Sequence, residues 1–320
     1  MKYLDFLKKE WYNVTVSYVV PFFSKESEME LGEKIKKLRC EKMMTQSELV
    51  GNEITRNMLS RIENGTANPS LETIRYIAQR LNVSPGFLLA QGNDEQIYFK
   101  HSEIIAIKQA YLTEDYRICR DICLHSDSAQ DDEICMILAE CNLAIAIEEF
   151  ERGNLREACR YFDETLESCE GTVYRTDYLS AVVGTYFRYM RKISATLASN
   201  LIDEGAINVY PSLTDAFCRY AFLIDAMEES GKPFDGALEI DSQASPFTMH
   251  YQAMLLMRQK NYSAAYELLH AILLDERVLA EPVLYFVLCD LEVCCRELEN
   301  FKGAYEYSID KIELLQKLLR

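Results

Sequence analysis

Along most of the chain, apolar residues recur at i, i+3, i+4 and i+7, the spacing that gathers side chains on one face of an α-helix. Leu31, Ile35 and Leu38 keep that period and predict the first helix. Thr45-Gln46-Ser47-Glu48 reads as a capping box, in which the Thr45 hydroxyl takes the third amide and Glu48 reaches back. The helix it opens runs for about one and a half turns before Gly51-Asn52 breaks it. Thr55 can cap a helix over 56–64, and Gly65 suits the left-handed residue that ends one. Ser70 caps a helix over Leu71–Leu81, and Ser84-Pro85 starts a last short one around Phe87–Leu89. The pattern thus predicts five short helices between Leu31 and Ala90, two of them joined by a tight turn in the helix-turn-helix manner.

From about Gln96 onward the helical period continues with few breaks, and a local motif repeats. It reads Asp115-Tyr116-x-x-Cys119, Asn154-Leu155-x-x-Ala158, Asn261-Tyr262-x-x-Ala265 and Asn300-Phe301-x-x-Ala304. The motifs lie 39, 107 and 39 residues apart, and the long interval has room for three repeats of about 36. In each motif the polar residue caps, the large apolar residue staples, and the small one lets helices approach. Pairs of helices repeating near 34 residues are the tetratricopeptide signature. Phe234-x-x-Ala237 fits the motif too, but sits only 28 residues before its neighbour and is read as chance.

Composition agrees. Twelve Gly and seven Pro among 320 residues leave few breakers and favour long helices over a many-turned β fold. A hydrophobic share of 49% and 20 Tyr exclude general disorder. No apolar run is long enough to span a membrane. The fold class expected is all-α: a five-helix head over 29–92, then an α-solenoid of tetratricopeptide-like hairpins over 93–320.

Net charge is −17, which on its own argues against nucleic acid. Its distribution changes that reading. Residues 29–92 carry nine Lys or Arg against seven acids, a net of +2, whereas 93–320 carries 21 basic and 40 acidic residues. Only the head suits phosphate. Eleven cysteines, an odd number set mostly in helical apolar patterns, read as small core residues in a reducing cytoplasm. Cys119, Cys123 and His125 lack a fourth ligand at zinc spacing, so no metal or cofactor is implied. Residues 1–28 have a charged start and the short apolar stretch 14–20, but no small-residue cleavage site, and Asp5 and Glu10 spoil a signal peptide. Two readings stay open for them. Either synthesis starts at Met29, since Lys25-Glu26 can be encoded as a ribosome-binding sequence, or 1–28 is a loosely docked arm.

The second helix of the predicted pair carries the chemistry. Leu59 and Ile62 share one face, with Ile54 packing ahead of the cap; Arg56, Asn57, Ser60 and Arg61 fall on the other. An Arg fork matches guanine O6 and N7, and Asn matches adenine N6 and N7. Gln46, at its helix N-terminus, can bring an amide and free backbone N–H groups to a phosphate.

Over about 60 residues the stretches Thr45-Gln46, Arg61-Ile62-Glu63-Asn64-Gly65 and Asn68-Pro69-Ser70 resemble the XRE-type helix-turn-helix domains of the phage repressor and Cro class. That resemblance implies a lambda-repressor-like fold for the head, base-reading positions at Arg56, Asn57 and Arg61, and backbone-contacting positions at Gln46 and Asn64. Ser60, on the same exposed face, is grouped with the base-reading residues and Thr45 with the backbone contacts. This chain departs from the pattern in two places. The segment 51–54 is one residue shorter than usual, and Thr66 and Asn68 stand where many relatives carry Lys or Arg.

Helical repeats commonly hold an extended peptide or a partner helix in a concave groove. Asn142, Arg188, Arg191 and Gln252, polar residues within apolar helices, are the candidates for gripping one; each also reads as an internally satisfied or outward-facing residue. The order and length of the two parts resemble the peptide-pheromone-sensing regulators of Gram-positive bacteria, the Rgg-like and PlcR-like families. The resemblance implies a cytoplasmic homodimer that binds double-stranded DNA and responds to a short peptide, and no membrane association. The alternative is an interaction scaffold localised to DNA. No Ser/His/Asp or Cys/His arrangement and no phosphate-cradling Gly loop occurs, and His101, His125, His250 and His270 are scattered, so no catalytic residue and no enzyme activity is expected.

Overall fold

The computed structural model describes residues 30–91, 93–126, 128–198, 215–232, 240, 245–275 and 279–320. Residues 1–28, with the two readings of their origin, lie outside the described residues, as does the motif at Phe234. Among the described residues all regular structure is helical, and no helix is long and apolar enough to cross a membrane. The described residues form two compact units, one ending at Ile134 and one spanning Cys135–Arg320.

The first unit opens with α1 (Leu31–Glu41), α2 (Gln46–Val50), α3 (Arg56–Glu63), α4 (Leu71–Leu81) and α5 (Pro85–Leu89). The sequence caps operate as chemistry requires. Hydroxyls of Thr45, Thr55, Ser70 and Ser84 accept from the amides of Glu48, Met58, Thr73 and Phe87 at 3.0–3.2 Å. Thr45 N–H in turn donates to Glu48 Oε2 at 2.6 Å, which completes the capping box. Gly65 ends α3 at φ +71°. Ile35, Leu38, Leu49, Leu59, Ile77 and Leu81 are fully buried and pack as one core. Gly32 has its place because a Cβ there would sit 2.2 Å from the Ile62 carbonyl, so α1 and α3 approach backbone to side-chainless backbone. Lys34, 1% exposed, donates to the Ala90 carbonyl with its ammonium 5.9 Å over the Phe87 ring. After these come α6 (Asn93–Leu112) and α7 (Tyr116–His125).

The second unit is built from α8 (Asp132–Glu151, whose first turn carries the division), α9 (Leu155–Glu170), α10 (Asp177–Arg191), α11 (Ala216–Ser230), α12 (Pro246–Arg258), α13 (Tyr262–Leu273), α14 (Glu281–Glu297) and α15 (Phe301–Leu318). Its centre is aromatic: Phe150, Phe162, Tyr186, Tyr189, Phe217 and Tyr220 interlock, with the Tyr186 and Phe217 rings stacked at 4.4 Å.

The repeated motif makes the same turn four times. Glu114, Gly153, Lys260 and Glu299 take left-handed φ of 62°, 81°, 59° and 62°. The next residue in each case has φ between −81° and −90° and ψ between 64° and 70°. The amides of Asp115, Asn154, Asn261 and Asn300 bond carbonyls five residues back, at 2.8–3.1 Å. This is the Schellman ending, followed at once by a new helix. Asp115, Asn261 and Asn300 cap that helix through their side chains. Asn154 does not: its amide donates instead to Glu149 Oε2 at 2.7 Å. The small residues Cys119, Ala158, Ala265 and Ala304 are buried where the helices meet. Between Asn154 and Asn261, where the spacing expects three repeats, the described residues form α9, α10, α11 and α12, and 199–214, 233–239 and 241–244 lie outside the described residues.

None of the eleven cysteines is in a disulfide; seven are buried, three half-buried and Cys40 exposed. Burial pushes the Cys159 thiol to about 12 and the Cys169 thiol to about 11, so both stay neutral and behave as small apolar groups.

Gly153 is the turn residue with least room. A Cβ there would lie 2.3 Å from Glu281 Oε2 and 2.9 Å from Leu318 Cδ2, in a left-handed backbone. Gly153→Ala is expected to destabilise the second unit by about 2 kcal/mol, read by denaturant unfolding. Lys260→Gly, at a left-handed position already carrying a side chain, is expected to change stability by less than about 1 kcal/mol.

Candidate nucleic-acid interface

The helix-turn-helix is α2, the turn over 51–55, and α3. Its inner face is fixed by Leu49, Val50, Leu59 and Ile62, all buried. Glu63, one turn on from Leu59, is also buried, at 4% exposure, and a carboxylate there needs donors. Arg39 of α1 supplies a fork, with Nε 2.7 Å from Oε1 and Nη2 3.1 Å from Oε2. Gln46 Nε2 donates to the same Oε2 at 2.8 Å. Arg39 Nη1 also donates to the Met44 carbonyl at 2.9 Å, which ties down the approach to α2. The Glu63 pairing raises the Arg39 pKa above its ordinary value. One carboxylate therefore joins α1, α2 and α3.

The network reaches the surface through Gln46. Its amide nitrogen is spent on Glu63, which turns Oε1 outward, 3.4 Å from Arg56 Nε. Arg56, Asn57 and Arg61 are exposed, and Ser60 is half-buried. Thr45 and Asn64 are exposed at the two ends of the pair, Thr45 as the cap of α2 and Asn64 as the C-cap of α3. Thr66 closes α3, its hydroxyl and amide both donating to the Arg61 carbonyl at 3.0 and 2.8 Å.

A second brace holds α2. So short a helix leaves its last carbonyls unpaired. Tyr76 Oη of α4 donates to the Val50 carbonyl at 2.9 Å, and Arg80 donates to the Glu48 carbonyl. Gly51 makes this possible: at φ +53° any Cβ would lie 2.4 Å from the Tyr76 hydroxyl.

Arg39, Glu63, Tyr76 and Arg80 were not among the residues singled out in sequence. The signal for Glu63 was present, since a charged residue four positions after Leu59 falls on the buried face. Its partner in α1 is 24 residues away and could not be read from periodicity.

In the body the four polar candidates sit on three helices. Asn142, on α8, is 2% exposed and donates to Ser168 Oγ of α9 at 3.4 Å. Arg188, on α10, lies 3.6 Å from Asp225 Oδ2 of α11 and donates to Thr185 Oγ1 at 3.3 Å. Arg191, at the end of α10, and Gln252, on α12, are exposed.

Residues 35–88 match the Helix-turn-helix family model. The helix-turn-helix domain so defined runs from the core of α1 to α5 and contains the Glu63 network and every base-reading candidate. The curated proteins contain no sequence match to the chain. Among solved structures the chain is similar to PlcR of Bacillus thuringiensis in complex with the peptide PapR7 and DNA, at 14% identity over 90% of this chain and 96% of that one, TM-score 0.22. It is also similar to ComR from S. thermophilus in complex with DNA and its signalling peptide ComS, at 17% identity over 89% and 99%, TM-score 0.23. The apo form of ComR from Streptococcus vestibularis is 18% identical over 89% and 91%, with a TM-score of 0.19.

Removing the buried carboxylate strands Arg39, whose side chain is only 12% exposed. Glu63→Ala is expected to destabilise the helix-turn-helix domain by about 3 kcal/mol, seen as lost hydrogen-exchange protection across α1 to α4 with α12 to α15 unchanged.

Proposed function

We propose that the chain is a sequence-specific transcriptional regulator in which 29–92 reads double-stranded DNA and 93–320 dimerises and senses a peptide or protein. The observation that carries the reading is the two-sided character of α3. Leu59, Ile62 and Glu63 anchor it while Arg56, Asn57 and Arg61 remain outward, near the end that enters a major groove. Arg56 and Arg61 take guanine edges, Asn57 an adenine edge, and Ser60 a base edge of either kind. Thr45, Gln46 and Asn64 meet the phosphates on either side, Gln46 also steadying Arg56.

A single domain with a net charge of +2 draws little affinity from phosphate alone, so two copies on two half-sites are required for tight binding. The last helix supports pairing. Phe301, Tyr305, Ile309 and Ile312 are 69%, 68%, 39% and 49% exposed, and their spacing sets them on one face of α15. A second copy of the chain is the occupant that fits a self-complementary stripe ending a stack of repeats. In the body Asn142, Arg188, Arg191 and Gln252 are the proposed peptide contacts, with Arg191 and Gln252 the exposed pair. Peptide binding biases the spacing of the two heads, with a coupling of about 1–3 kcal/mol. Titrating operator affinity against candidate peptides tests this, and an affinity unmoved by any of them contradicts sensing.

With an operator selected from random duplexes, Arg56→Ala and Arg61→Ala are each expected to weaken cognate binding by about 1–3 kcal/mol, roughly 5- to 150-fold, in fluorescence anisotropy. Binding to a scrambled duplex falls far less, so the ratio between the two collapses. Phe301→Glu combined with Tyr305→Glu is expected to convert a dimer to a monomer in sedimentation velocity, and unchanged sedimentation contradicts the α15 interface.

A further inference from the structure

Tyr98, on the first turns of α6, reaches back into the head. Its ring meets that of Phe87 edge-on, with centroids 5.9 Å apart. Phe87 is 1% exposed, and the Lys34 ammonium lies over the same ring while it donates to the Ala90 carbonyl. A stack therefore runs from α1 through α5 to α6. Gly86 makes room for it: a Cβ there would lie 2.0 Å from Tyr98 Oη and 3.0 Å from Cζ.

Among the described residues, Tyr98 is the one side chain of α6 packed against the core of the head. Its neighbour Ile97 is 57% exposed. α5 ends at Leu89 and α6 begins at Asn93, and a link that short keeps two helices close without setting the angle between them. On its far side α6 is tied to α7. Ile104 and Ile107 are buried, Cys119 Sγ donates to the Ile107 carbonyl at 3.4 Å, and Ser126 Oγ donates to Glu103. Cys119 and Cys123, one turn apart on α7, are fully buried. All of these residues lie in the first unit. Close-packed contacts of this kind pass a displacement on instead of absorbing it.

We propose that Tyr98 is a positioning residue for DNA reading: its ring bolts α6, and α7 with it, to the head, so that α3 keeps a fixed angle to the first helix pair that follows. Motion of the body then reaches the recognition helix through α6 and is not lost at 90–92. With the ring removed, the head swivels on that link. Two heads so held meet half-sites at one separation, whereas two swivelling heads tolerate several. That last step rests on the dimer proposed above; the joint itself does not.

The joint is tested in the full-length chain by double electron–electron resonance. Spin-labelled non-natural residues replace Glu72 of α4 and Gln109 of α6, both exposed, and excess unlabelled protein restricts the signal to distances within one chain. The native Tyr98 ring is expected to give one narrow distance distribution, and Tyr98→Phe the same. Tyr98→Ala should make it at least twice as wide, with amide exchange across α1 to α4 unchanged. Gly86→Ala, whose methyl meets the Tyr98 hydroxyl, should widen it too, and Tyr98→Phe in that background should narrow it again. A wide distribution in the native chain overturns the proposal, as does a narrow one in Tyr98→Ala. Should Tyr98→Ala unfold the head, the Gly86→Ala pair decides: widening that is the same with and without the hydroxyl overturns the joint. On operators with two half-sites, Tyr98→Ala should lose at least fivefold of the preference for the best separation while binding a single half-site unchanged. A preference retained despite a widened distribution overturns the positioning role. Indifference of the native chain to separation contradicts the dimer, and the distances alone then decide the joint.

Discussion

The buried carboxylate of Glu63 is the constraint on which the head depends. It sits in the core at the end of α3 and is tolerable there only because Arg39 grips both oxygens and Gln46 adds a third N–H. Three helices are thereby locked in one arrangement, and the outward position of Arg56 follows from it through the free oxygen of Gln46. A short helix with few apolar contacts would otherwise fray. The further brace from Tyr76 and Arg80 to the end of α2 serves the same purpose from the opposite side. Rigid presentation matters because side chains meet base edges productively only when the helix that carries them does not reorient.

The body rests on a different device, one turn made four times. A left-handed residue ends a helix and the next residue begins another, so no connecting loop is needed and each pair of helices stays antiparallel and close. Glu, Lys and Glu occupy three of the left-handed positions, and Gly stands where the turn abuts Glu281 and Leu318. The acidic excess of the chain lies outside the head, which leaves the head's small positive balance to meet phosphate.

Much of this was legible in the chain because it is governed by near neighbours. Caps at Thr45, Thr55, Ser70 and Ser84, the left-handed Gly65, and the anchoring face of Leu59 and Ile62 all follow from spacing of three or four. The Asp115, Asn261 and Asn300 caps do too. What spacing could not give is pairing at distance: Arg39 with Glu63 and Tyr76 with Val50. Asn142 stands out in the sequence because a polar residue interrupts an apolar helix, and its bond to Ser168 of the next helix is another pairing that spacing did not show.

The claim at the centre is that α3 lies in a major groove with its arginines on guanine edges. Methylation protection on a selected operator addresses it directly, because dimethyl sulfate attacks guanine N7 in the major groove and adenine N3 in the minor groove. The account predicts protected guanine N7 positions in two half-sites centred a whole number of helical turns apart, about 34–36 Å or a multiple of it. Protection confined to adenine N3, or bound DNA whose guanines all stay reactive, would contradict it.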